Sequence, residues 1–528
     1  MAKRRVAVIG IDAADFAFLD PWMAAGHLPT LARLRKEGAS GILRSTNPPV
    51  SSPAWATFMT GLNPGAHGLF DFVMEDPATQ KPVIARSDYI KGARMWEVAA
   101  KAGLRCAVVN VPITWPVRPF DGLLVTGMLT PPGRPYTHPP ELEAEIEAVV
   151  PGYPTDIDHR EKEDRDGFRR HCDDVAVKNA KVMEHLLLKE PWDLFVGVFT
   201  TADRAKHFFW EERESVVLDH YRLLDRLIAK LLKVLGNDGT VMVISDHGFQ
   251  SQGIQFYMNR WLREEGLLKV RRHEEHRPET SDRDMNQFTD QLIQPVRVKA
   301  GFLSRLLGNR YDDGYLEVDQ ARSEAYLYSV WTCGVKINVK GRDPLGIVEP
   351  GDAYEALRDR IIRGLGELRA PGAEKPFFDW VGRREEIYHG ARLHWAPDVA
   401  TYSRGYTVSA SRTSLNKGRI FRESKHHLGT HSENGIFIAH GAGVKAGAAL
   451  EPTDLQDVMP TVLWALGLPV PAGLDGRVLT EFFEPGTLAA NPVREGEASP
   501  EDLSEATGET TPEEEAELRK TLEGLGYM

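Results

Sequence analysis

Short apolar runs alternate along this chain with segments in which apolar residues recur at helical spacing. The runs RVAVIGID (from Arg5) and RCAVVNVP (from Arg105) are almost continuously apolar, which is typical of strands buried on both faces of a parallel sheet. Residues 29–38 instead predict a helix that ends in a glycine cap, and residues 216–236 carry leucine and isoleucine at the spacing of an amphipathic helix. The alternation predicts an α/β fold, with a mostly parallel sheet flanked by crossover helices.

Two irregular stretches interrupt the alternation. Residues 130–170 are rich in proline and charge, and the stretch that begins near Arg271 is polar before it becomes helical. From Glu484 the chain is acidic and poor in large apolar residues. We therefore predict a core in two parts, residues 1–270 and residues 326–483, separated by a cap insertion at 271–325. Residues 130–170 are a possible cap segment within the first part. Residues 484–528 are predicted to form an acidic linker with a short C-terminal helix.

Composition narrows the class of protein. The 528 residues are 42% hydrophobic, enough for a large core, and the net charge of -12 does not indicate a nucleic-acid surface. No run of about 18 apolar residues is present, so no membrane-spanning helix is expected. The basic N-terminus is interpreted as the first core strand, not as a signal peptide. Three widely spaced cysteines fit a reducing cytoplasm, which is the predicted location, and the oligomeric state is left open.

Acidic and imidazole side chains lie beside several of the strand-like runs. They are Asp12, Asp203, His207, Asp246, His247 and His431. The carboxyl ends of parallel strands meet at one edge of a sheet, so side chains that follow such strands are expected to converge there. Asp203 and His207 are four residues apart and share a face if a helix begins there, whereas His431 precedes a run and is expected on a loop.

Carboxylate and imidazole are ligands of zinc, with manganese as the second candidate metal. Taken singly, each aspartate is explained as well by a helix N-cap, and each histidine by a surface or core position. As a set, the six residues supply enough ligands for two divalent cations.

A serine pair lies between NPPV and PAWATFMTG. Ser51 is predicted at or just before a helix N-terminus, whose partial positive charge suits a phosphate group. A serine hydroxyl needs a base or a metal to become a nucleophile, and no Gly-x-Ser-x-Gly elbow is present, so metal activation is favoured. The alternative is that Ser51 or Ser52 is an N-cap. Walker A, dinucleotide-binding and HExxH motifs are absent, which argues against nucleotide-driven and zincin chemistry.

Together these residues resemble the alkaline phosphatase superfamily. Within it, the chain is most similar to the type I phosphodiesterase/nucleotide pyrophosphatase group, especially its prokaryotic branch of predicted phosphohydrolases or phosphomutases. The resemblance runs from Arg5 to about Phe483, and the motifs that carry it include VIGIDAAD, PPVSSPAWATFMTGLNPGAHGLFDF, FTTADRAKHFFW, SDHGF and GTHSENGIFIAHG. It implies an alkaline-phosphatase-like core with two divalent metal ions.

The resemblance also implies a role for each matching position. One metal would be held by Asp203, His207 and His431, and the other by Asp12, Asp246 and His247. The family's nucleophile falls on Ser51, nine residues before Thr60, and as an alkoxide it would also be a ligand of the second metal. His67 matches a position taken to be structural.

One departure concerns phosphate binding. Nucleotide pyrophosphatases usually carry an asparagine three residues after the nucleophile, and this chain has Ala54 there. A phosphate oxygen therefore needs another donor, and the candidates are the Ser52 backbone N–H, Asn47, Arg204 and Lys206. Trp55 and Trp115 are candidates for stacking on a substrate ring, with a place in the hydrophobic core as the alternative for each.

We therefore expect a metal-dependent phosphohydrolase with a small phosphorylated substrate, and favour a phosphodiesterase or nucleotide pyrophosphatase. A phosphomutase or phosphomonoesterase on the same scaffold is the alternative. A non-catalytic, metal-stabilised binding protein is a remote third possibility. A sulfatase is disfavoured, because SSPAW has Trp55 where the sulfatase maturation signal requires arginine.

Overall fold

A computed structural model describes residues 4–75, 82–158, 164–236, 238–272, 316–329, 333–404, 406–408, 415, 418–423, 429–498 and 510–525. The chain divides into two compact units. The first comprises Met1–Ser251, Arg383–Ala396 and Gly429–Met528, and the second comprises Gln252–Gly382 and Pro397–Leu428. Most of the predicted cap insertion at 271–325 lies outside the described residues, and its role stays a prediction.

The strands of both units are short, and those of the main sheet match the apolar runs. In chain order they are β1 (Val6–Ile11), β2 (Ala39–Arg44), β3 (Val73–Glu75), β4 (Pro82–Ile84), β5 (Cys106–Val111), β6 (Leu123–Thr126), β7 (Thr137–His138), β8 (Leu194–Phe199), β9 (Thr240–Ile244), β10 (Gly248–Ser251), β11 (Ile254–Phe256), β12 (Val270–Arg272), β13 (Leu316–Val318), β14 (Ala325–Leu327), β15 (Val335–Ile337), β16 (Trp380–Arg383), β17 (Val399–Tyr402), β18 (Tyr406–Val408), β19 (Phe421–Glu423), β20 (Gly429–Ser432), β21 (Asn434–Gly441), β22 (Ala448–Ala449), β23 (Thr453–Asp454), β24 (Val470–Pro471) and β25 (Glu495–Gly496).

The helices lie largely in the first unit. In chain order they are α1 (Phe16–Ala24), α2 (Pro29–Glu37), α3 (Ser51–Thr60), α4 (Pro64–His67), α5 (Met95–Lys101), α6 (Leu142–Val149), α7 (Arg165–Lys189), α8 (Thr201–Phe209), α9 (Leu218–Leu235), α10 (Met258–Glu264), α11 (Asp352–Gly366), α12 (Val458–Ala465), α13 (Pro485–Ala490) and α14 (Pro512–Leu525). Within the described ranges, none of them combines the length and the apolar character needed to cross a membrane.

A ten-stranded sheet forms the framework of the first unit. Its strand order is β22-β2-β21-β9-β1-β8-β5-β6-β7, and β23 also pairs with β2. β1 is parallel to β8 and β9, and β8 is parallel to β5, whereas β21 is antiparallel to both β9 and β2. Every residue of β1, β5, β8 and β9 is buried, which explains their continuous apolar runs. The predicted mostly parallel α/β fold is confirmed.

Gly10 of β1 lets helix α3 pack closely on the sheet. A Cβ atom at this position would lie 2.6 Å from the Trp55 ring, closer than side chains tolerate. Trp55 is fully buried and packs edge-to-face against Phe58. The α3 helix, whose first residue is Ser51, is thereby fixed beside the C-terminal half of β1.

A buried carboxylate caps helix α2 from another helix. The α2 N-terminus has no capping side chain of its own. Instead, Asp225 of α9 accepts hydrogen bonds from the backbone N–H groups of Thr30 (3.0 Å) and Leu31 (2.9 Å). These bonds satisfy two of the donors that every helix N-terminus leaves unpaired, and they join α2 to α9.

The second unit has its own core. Its four-stranded sheet has the order β14-β15-β17-β16. Asp398 is buried in this unit and accepts hydrogen bonds from the Arg342 guanidinium (2.6 and 2.8 Å) and the Tyr354 hydroxyl (2.8 Å). The paired guanidinium offsets the desolvation of the carboxylate.

Two irregular stretches contain more regular structure than the sequence indicates. Residues 485–490 and 495–496, in the predicted acidic linker, form α13 and β25, and the division of the chain at 484 stays a prediction. The Asn491 side chain explains this order, because it donates to the Trp464 carbonyl (2.8 Å). In the 130–170 stretch, Leu142 and Ile146 of α6 belong to the core of the first unit. Whether this stretch also caps a site stays a prediction.

The α2 cap generates a stability prediction. Asp225 is 1% exposed, whereas the Asp219 side chain on the same helix is 51% exposed and forms an ion pair with Arg222. We expect Asp225→Ala to lower the free energy of unfolding by about 2–4 kcal/mol, because two buried N–H groups lose a charged acceptor. Asp219→Ala should change it by less than about 0.5 kcal/mol. Urea unfolding followed by circular dichroism measures both, and equal shifts would contradict the cap.

Candidate functional site

Two neighbouring strands bring Asp12 and Asp246 together. β1 and β9 are parallel and in register, with Gly10 opposite Ile244, so the chain leaves both strands at the same edge of the sheet. Asp12 follows β1 directly and Asp246 lies two residues beyond β9. The Ala13 backbone N–H donates to Asp246 Oδ1 at 3.3 Å, which ties the two strand ends together.

The other ligand candidates lie on a helix and on, or directly before, a pair of short antiparallel strands. Asp203 and His207 both lie in α8, which follows β8, and the predicted shared face is observed. His431 lies in β20, where it pairs with Phe249 of the antiparallel strand β10. The expectation of a loop at His431 is wrong, because backbone pairing with β10, directly after His247, holds this segment as a strand.

The six residues form two adjacent groups. In the first, the α8 triad (Asp203, His207 and His431), the two histidine Nε2 atoms lie 3.4 and 3.3 Å from Asp203 Oδ1 and 2.9 Å from each other. In the second, the β1 triad (Asp12, Asp246 and His247), His247 Nε2 lies 3.6 Å from Asp12 Oδ1 and 3.3 Å from Asp246 Oδ2. The His247 and His431 rings stack with centroids 3.9 Å apart, so the triads are neighbours.

The carboxylate–imidazole distances of 3.3–3.6 Å match the separations that a zinc-type ion requires, whereas the 2.9 Å between the His207 and His431 Nε2 atoms is shorter. Tetrahedral bonds of 2.0–2.2 Å place ligand atoms roughly 3.3–3.6 Å apart. The Nδ1 atoms of two of these histidines are placed as in metal-binding histidines. His247 Nδ1 lies 3.0 Å from the Gly248 carbonyl, and His431 Nδ1 lies 3.0 Å from the Pro49 carbonyl. Each Nδ1–H donates to a carbonyl, which leaves the Nε2 lone pair directed at the triads.

The electrostatics of the triads favour a bound cation. Burial and the neighbouring Asp246 and Asp203 raise the pKa of Asp12 well above its usual value, and burial raises the pKa of Asp246 to about 7. Burial lowers the pKa of His431 to about 3, so its ring is neutral near pH 7. Among the described residues, neither carboxylate oxygen of Asp12 has a hydrogen-bond partner. A divalent cation supplies the missing partner and the missing positive charge, so the residues fit one.

Ser51 lies at the junction of these groups. It is the first residue of α3, and its Oγ is 3.1 Å from His247 Nε2. Ser52 turns away, because its Oγ donates to the Asp71 carbonyl at 3.0 Å. The backbone N–H groups of Ser51 and Ser52 lie in the first turn and have no acceptor within the helix, and the proline that follows has no N–H. The positive end of α3 therefore faces the triads.

Two buried cations that were candidates for phosphate binding, Arg204 and Lys206, make other contacts beside the triads. Arg204 donates to Asp203 Oδ2 at 2.9 Å and forms an ion pair with Asp156 at 3.6 Å. Lys206 donates to the Ala13 carbonyl and lies 4.4 Å above the Phe18 ring. Sequence reasoning missed Asp156, which lies in the irregular 130–170 stretch where no motif marks it. The roles of Arg204 and Lys206 toward phosphate stay predictions.

The remaining substrate-binding candidates, Trp55, Trp115 and Asn47, differ in their exposure to solvent. Trp55 and Trp115 are both buried, at 0% and 4% exposure, which favours the core alternative that the sequence left open for each. Asn47 is partly exposed, and its carbonyl accepts a hydrogen bond from the Tyr388 hydroxyl at 2.5 Å. Of these three side chains, that of Asn47 is the one that is partly exposed, and its role toward phosphate stays a prediction.

His67 supports the serine helix. Its Nε2 lies 2.9 Å from Thr57 Oγ1 of α3, and its Nδ1 accepts from the Leu69 backbone N–H at 3.2 Å. Burial lowers the pKa of His67 to about 3, so the ring is neutral near pH 7 and donates from Nε2. These contacts agree with the structural role expected for this residue.

Comparisons with known proteins identify the family. The family model of the type I phosphodiesterase / nucleotide pyrophosphatase matches residues 6–432. No curated protein matches the chain. Solved structures with the same fold include human ectonucleotide pyrophosphatase / phosphodiesterase 5, at 15% identity over 91% of this chain and 100% of that chain, with a TM-score of 0.52.

Two further structures were solved with ligands. Murine ectonucleotide pyrophosphatase / phosphodiesterase 5, an inactive variant in complex with AMP, has 16% identity over 91% of this chain and 100% of that chain, with a TM-score of 0.50. Phosphonoacetate hydrolase from Sinorhizobium meliloti 1021, in complex with phosphonoacetate, has 16% identity over 88% of this chain and 95% of that chain, with a TM-score of 0.54. At these identities the likeness establishes a shared fold. Because the family match spans most of its length, the chain belongs to the type I phosphodiesterase / nucleotide pyrophosphatase family and is a hydrolase that acts on phosphoric ester bonds.

Proposed function

We propose that this chain is a metal-dependent phosphodiesterase or nucleotide pyrophosphatase in which Ser51 is the nucleophile. The α8 triad and the β1 triad each hold one divalent cation, with zinc favoured over manganese because half of the six ligands are imidazoles. The observation that carries this proposal is the position of the Ser51 hydroxyl, 3.1 Å from the Nε2 atom of His247 and at the positive end of α3.

The chemistry divides between cations and protein. When bound, divalent cations lower the pKa of a coordinated hydroxyl and offset the negative charge of a phosphoryl group. The protein holds the nucleophile in place, since α3 is packed on β1 through Trp55 and Gly10. In the reaction, Ser51 Oγ forms a bond to phosphorus as the alcohol or phosphate leaving group departs. Water then hydrolyses the resulting serine ester and restores the hydroxyl.

Backbone groups replace the side-chain amide that Ala54 lacks. The N–H groups of Ser51 and Ser52 at the first turn of α3 are preorganised donors for the phosphoryl oxygens, and the partly exposed Asn47 amide is a further candidate donor. Preorganised donors of this kind favour the more negative transition state over the bound substrate. They recognise the phosphoryl group and not the leaving group, which suits a small phosphorylated substrate.

Ala54 favours one alternative, a phosphomonoesterase or phosphomutase on the same scaffold. Initial rates on bis-p-nitrophenyl phosphate, p-nitrophenyl phosphate and a sugar phosphate separate the two candidates. The proposed activity requires the diester to be the better substrate by kcat/KM. A marked preference for either monoester would replace it with the alternative.

The serine pair provides the test of the nucleophile. Ser51→Ala should lower kcat by about 10³-fold or more, because the covalent step is lost. Ser52→Ala is the matched control, since the Ser52 hydroxyl already bonds the Asp71 carbonyl, and it should retain most activity. Steady-state rates on the diester measure both variants. An active Ser51→Ala with an inactive Ser52→Ala would assign the nucleophile to Ser52 instead. Two active variants would rule out a covalent intermediate on either serine.

The ligand carboxylates generate a prediction on pH and stability. In the metal-free chain the folded-state pKa of Asp246 is about 7, against 3.8 for the ordinary group, so the folded carboxyl binds its proton more tightly than the unfolded one. The wild type therefore loses stability as pH rises from about 4 to about 7, and the loss levels off above that. Asp246→Asn escapes this loss, so its stability relative to the wild type should rise by on the order of 2 kcal/mol between about pH 5 and pH 7.

With excess zinc, the wild type should become the more stable of the two proteins, because the variant lacks a ligand and gains less stability from metal binding. Thermal melts with chelator and with zinc measure both effects, and Asp219→Asn, on the exposed face of α9, is the control. A metal-free variant with no gain over the wild type across this pH range would contradict the account of the triads.

A further inference from the structure

A chain of hydrogen bonds joins three helices behind the α8 triad. The Nδ1 atom of His220 in α9 lies 2.7 Å from Asp173 Oδ1 in α7. Its Nε2 atom lies 2.9 Å from the hydroxyl of Thr201, the first residue of α8. His220 is 2% exposed and Thr201 is fully buried. No ligand or nucleophile assigned above includes these three residues.

Asp173, His220 and Thr201 are ordered as in an aspartate–histidine–hydroxyl relay, but the Thr201 hydroxyl is buried and has no access to a substrate. Because a carboxylate only accepts hydrogen bonds, Asp173 places the imidazole proton on Nδ1 and leaves Nε2 to accept from the Thr201 hydroxyl. The same order of groups activates nucleophiles in hydrolases. Here the hydroxyl is buried at the base of a helix, so its bond to His220 acts on the helix and not on a reacting atom.

Helix α8 is the element whose orientation this bond controls. It carries Asp203 two residues after Thr201, and His207 four residues further along the same face. The residue before it, Thr200, makes no side-chain capping bond. A rotation of α8 by roughly 10° would move an atom about 5–6 Å from the helix axis by about 1 Å. Metal–ligand distances tolerate only about 0.2 Å, so the rotation of α8 matters for cation binding.

We propose that His220, held by Asp173, is a positioning residue for the α8 triad. Through Thr201 it fixes the rotation of α8, and thereby sets the affinity of Asp203, His207 and His431 for a divalent cation. The inference rests on the proposed function, which assigns a cation to that triad. Loss of such an outer partner of a metal site lowers metal affinity by about 10- to 100-fold, and this is the effect expected here.

Two variants of the full chain break the same bond from opposite ends. Thr201→Val removes the hydroxyl at nearly constant volume, and His220→Phe removes both ring hydrogen bonds. Thr201→Ser is the conservative control, because it keeps the hydroxyl. His185→Phe is the matched histidine control, since His185 also lies on a helix and bonds a carboxylate, Glu145, at 2.7 Å.

The measurement is the dissociation constant for zinc, obtained by competition with a chromophoric chelator, together with the melting temperature of each metal-free protein. An Asp246→Asn background weakens the β1 triad, so the affinity that remains reports on the α8 triad. We expect Thr201→Val and His220→Phe to bind this zinc about 10- to 100-fold more weakly. Thr201→Ser and His185→Phe should match the background protein.

Three results would overturn the inference. One is a zinc affinity in Thr201→Val equal to that of the Asp246→Asn background protein, because this variant removes the hydroxyl at nearly constant volume. Another is a loss of affinity that is accompanied in Thr201→Val and His220→Phe by a lower metal-free melting temperature, which would indicate a general structural role. If the unaltered chain binds no divalent cation at either triad, the proposed function fails and this inference fails with it, a result distinct from the other two.

Discussion

Three buried carboxylates, Asp12, Asp203 and Asp246, share one small volume at the carboxyl edge of the central sheet, and the rest of the site depends on their charge. Burial removes the water that would solvate them, and their mutual repulsion raises the cost further. The Arg204 guanidinium offsets Asp203, but the oxygens of Asp12 have no hydrogen-bond partner in the described structure. The proposed pair of divalent cations would resolve this imbalance, which neutral imidazoles and a serine hydroxyl cannot do alone.

The fold positions these groups by two different means. Parallel pairing of β1 with β8 and β9 places Asp12, Asp246 and the start of α8 at one edge, as doubly wound sheets do for their ligands. The antiparallel pair β10 and β20 then brings His431 back from the far end of the sequence. Behind this arrangement, carbonyl groups fix the histidine tautomers, and the Thr201–His220 bond anchors α8. The proposed nucleophile and the candidate ligands therefore lie on, or directly after, helices and strands that are held by these contacts.

The local pattern of apolar residues was sufficient to predict the strands and helices that carry most of the candidate site. Continuous apolar runs mark β1, β8 and β9, and the four-residue spacing of Asp203 and His207 marks a helix face. The pairing of β10 with β20 was not predictable, because it joins two four-residue strands far apart in the sequence and neither has a distinctive pattern. The same limit applies to Asp156 and His220, whose partners lie on other elements. The resemblance to a known family, not the spacing, supplied the division of ligands between two metals.

The central claim is that the α8 triad and the β1 triad are two cation sites that share the Ser51 hydroxyl as neighbour. The most direct test is anomalous diffraction at the zinc absorption edge, from crystals of the full chain grown with zinc. The account predicts two strong peaks, one bounded by Asp203, His207 and His431 and the other bounded by Asp12, Asp246 and His247, with Ser51 beside the second. No peak at either triad, or peaks confined to surface side chains, would contradict it.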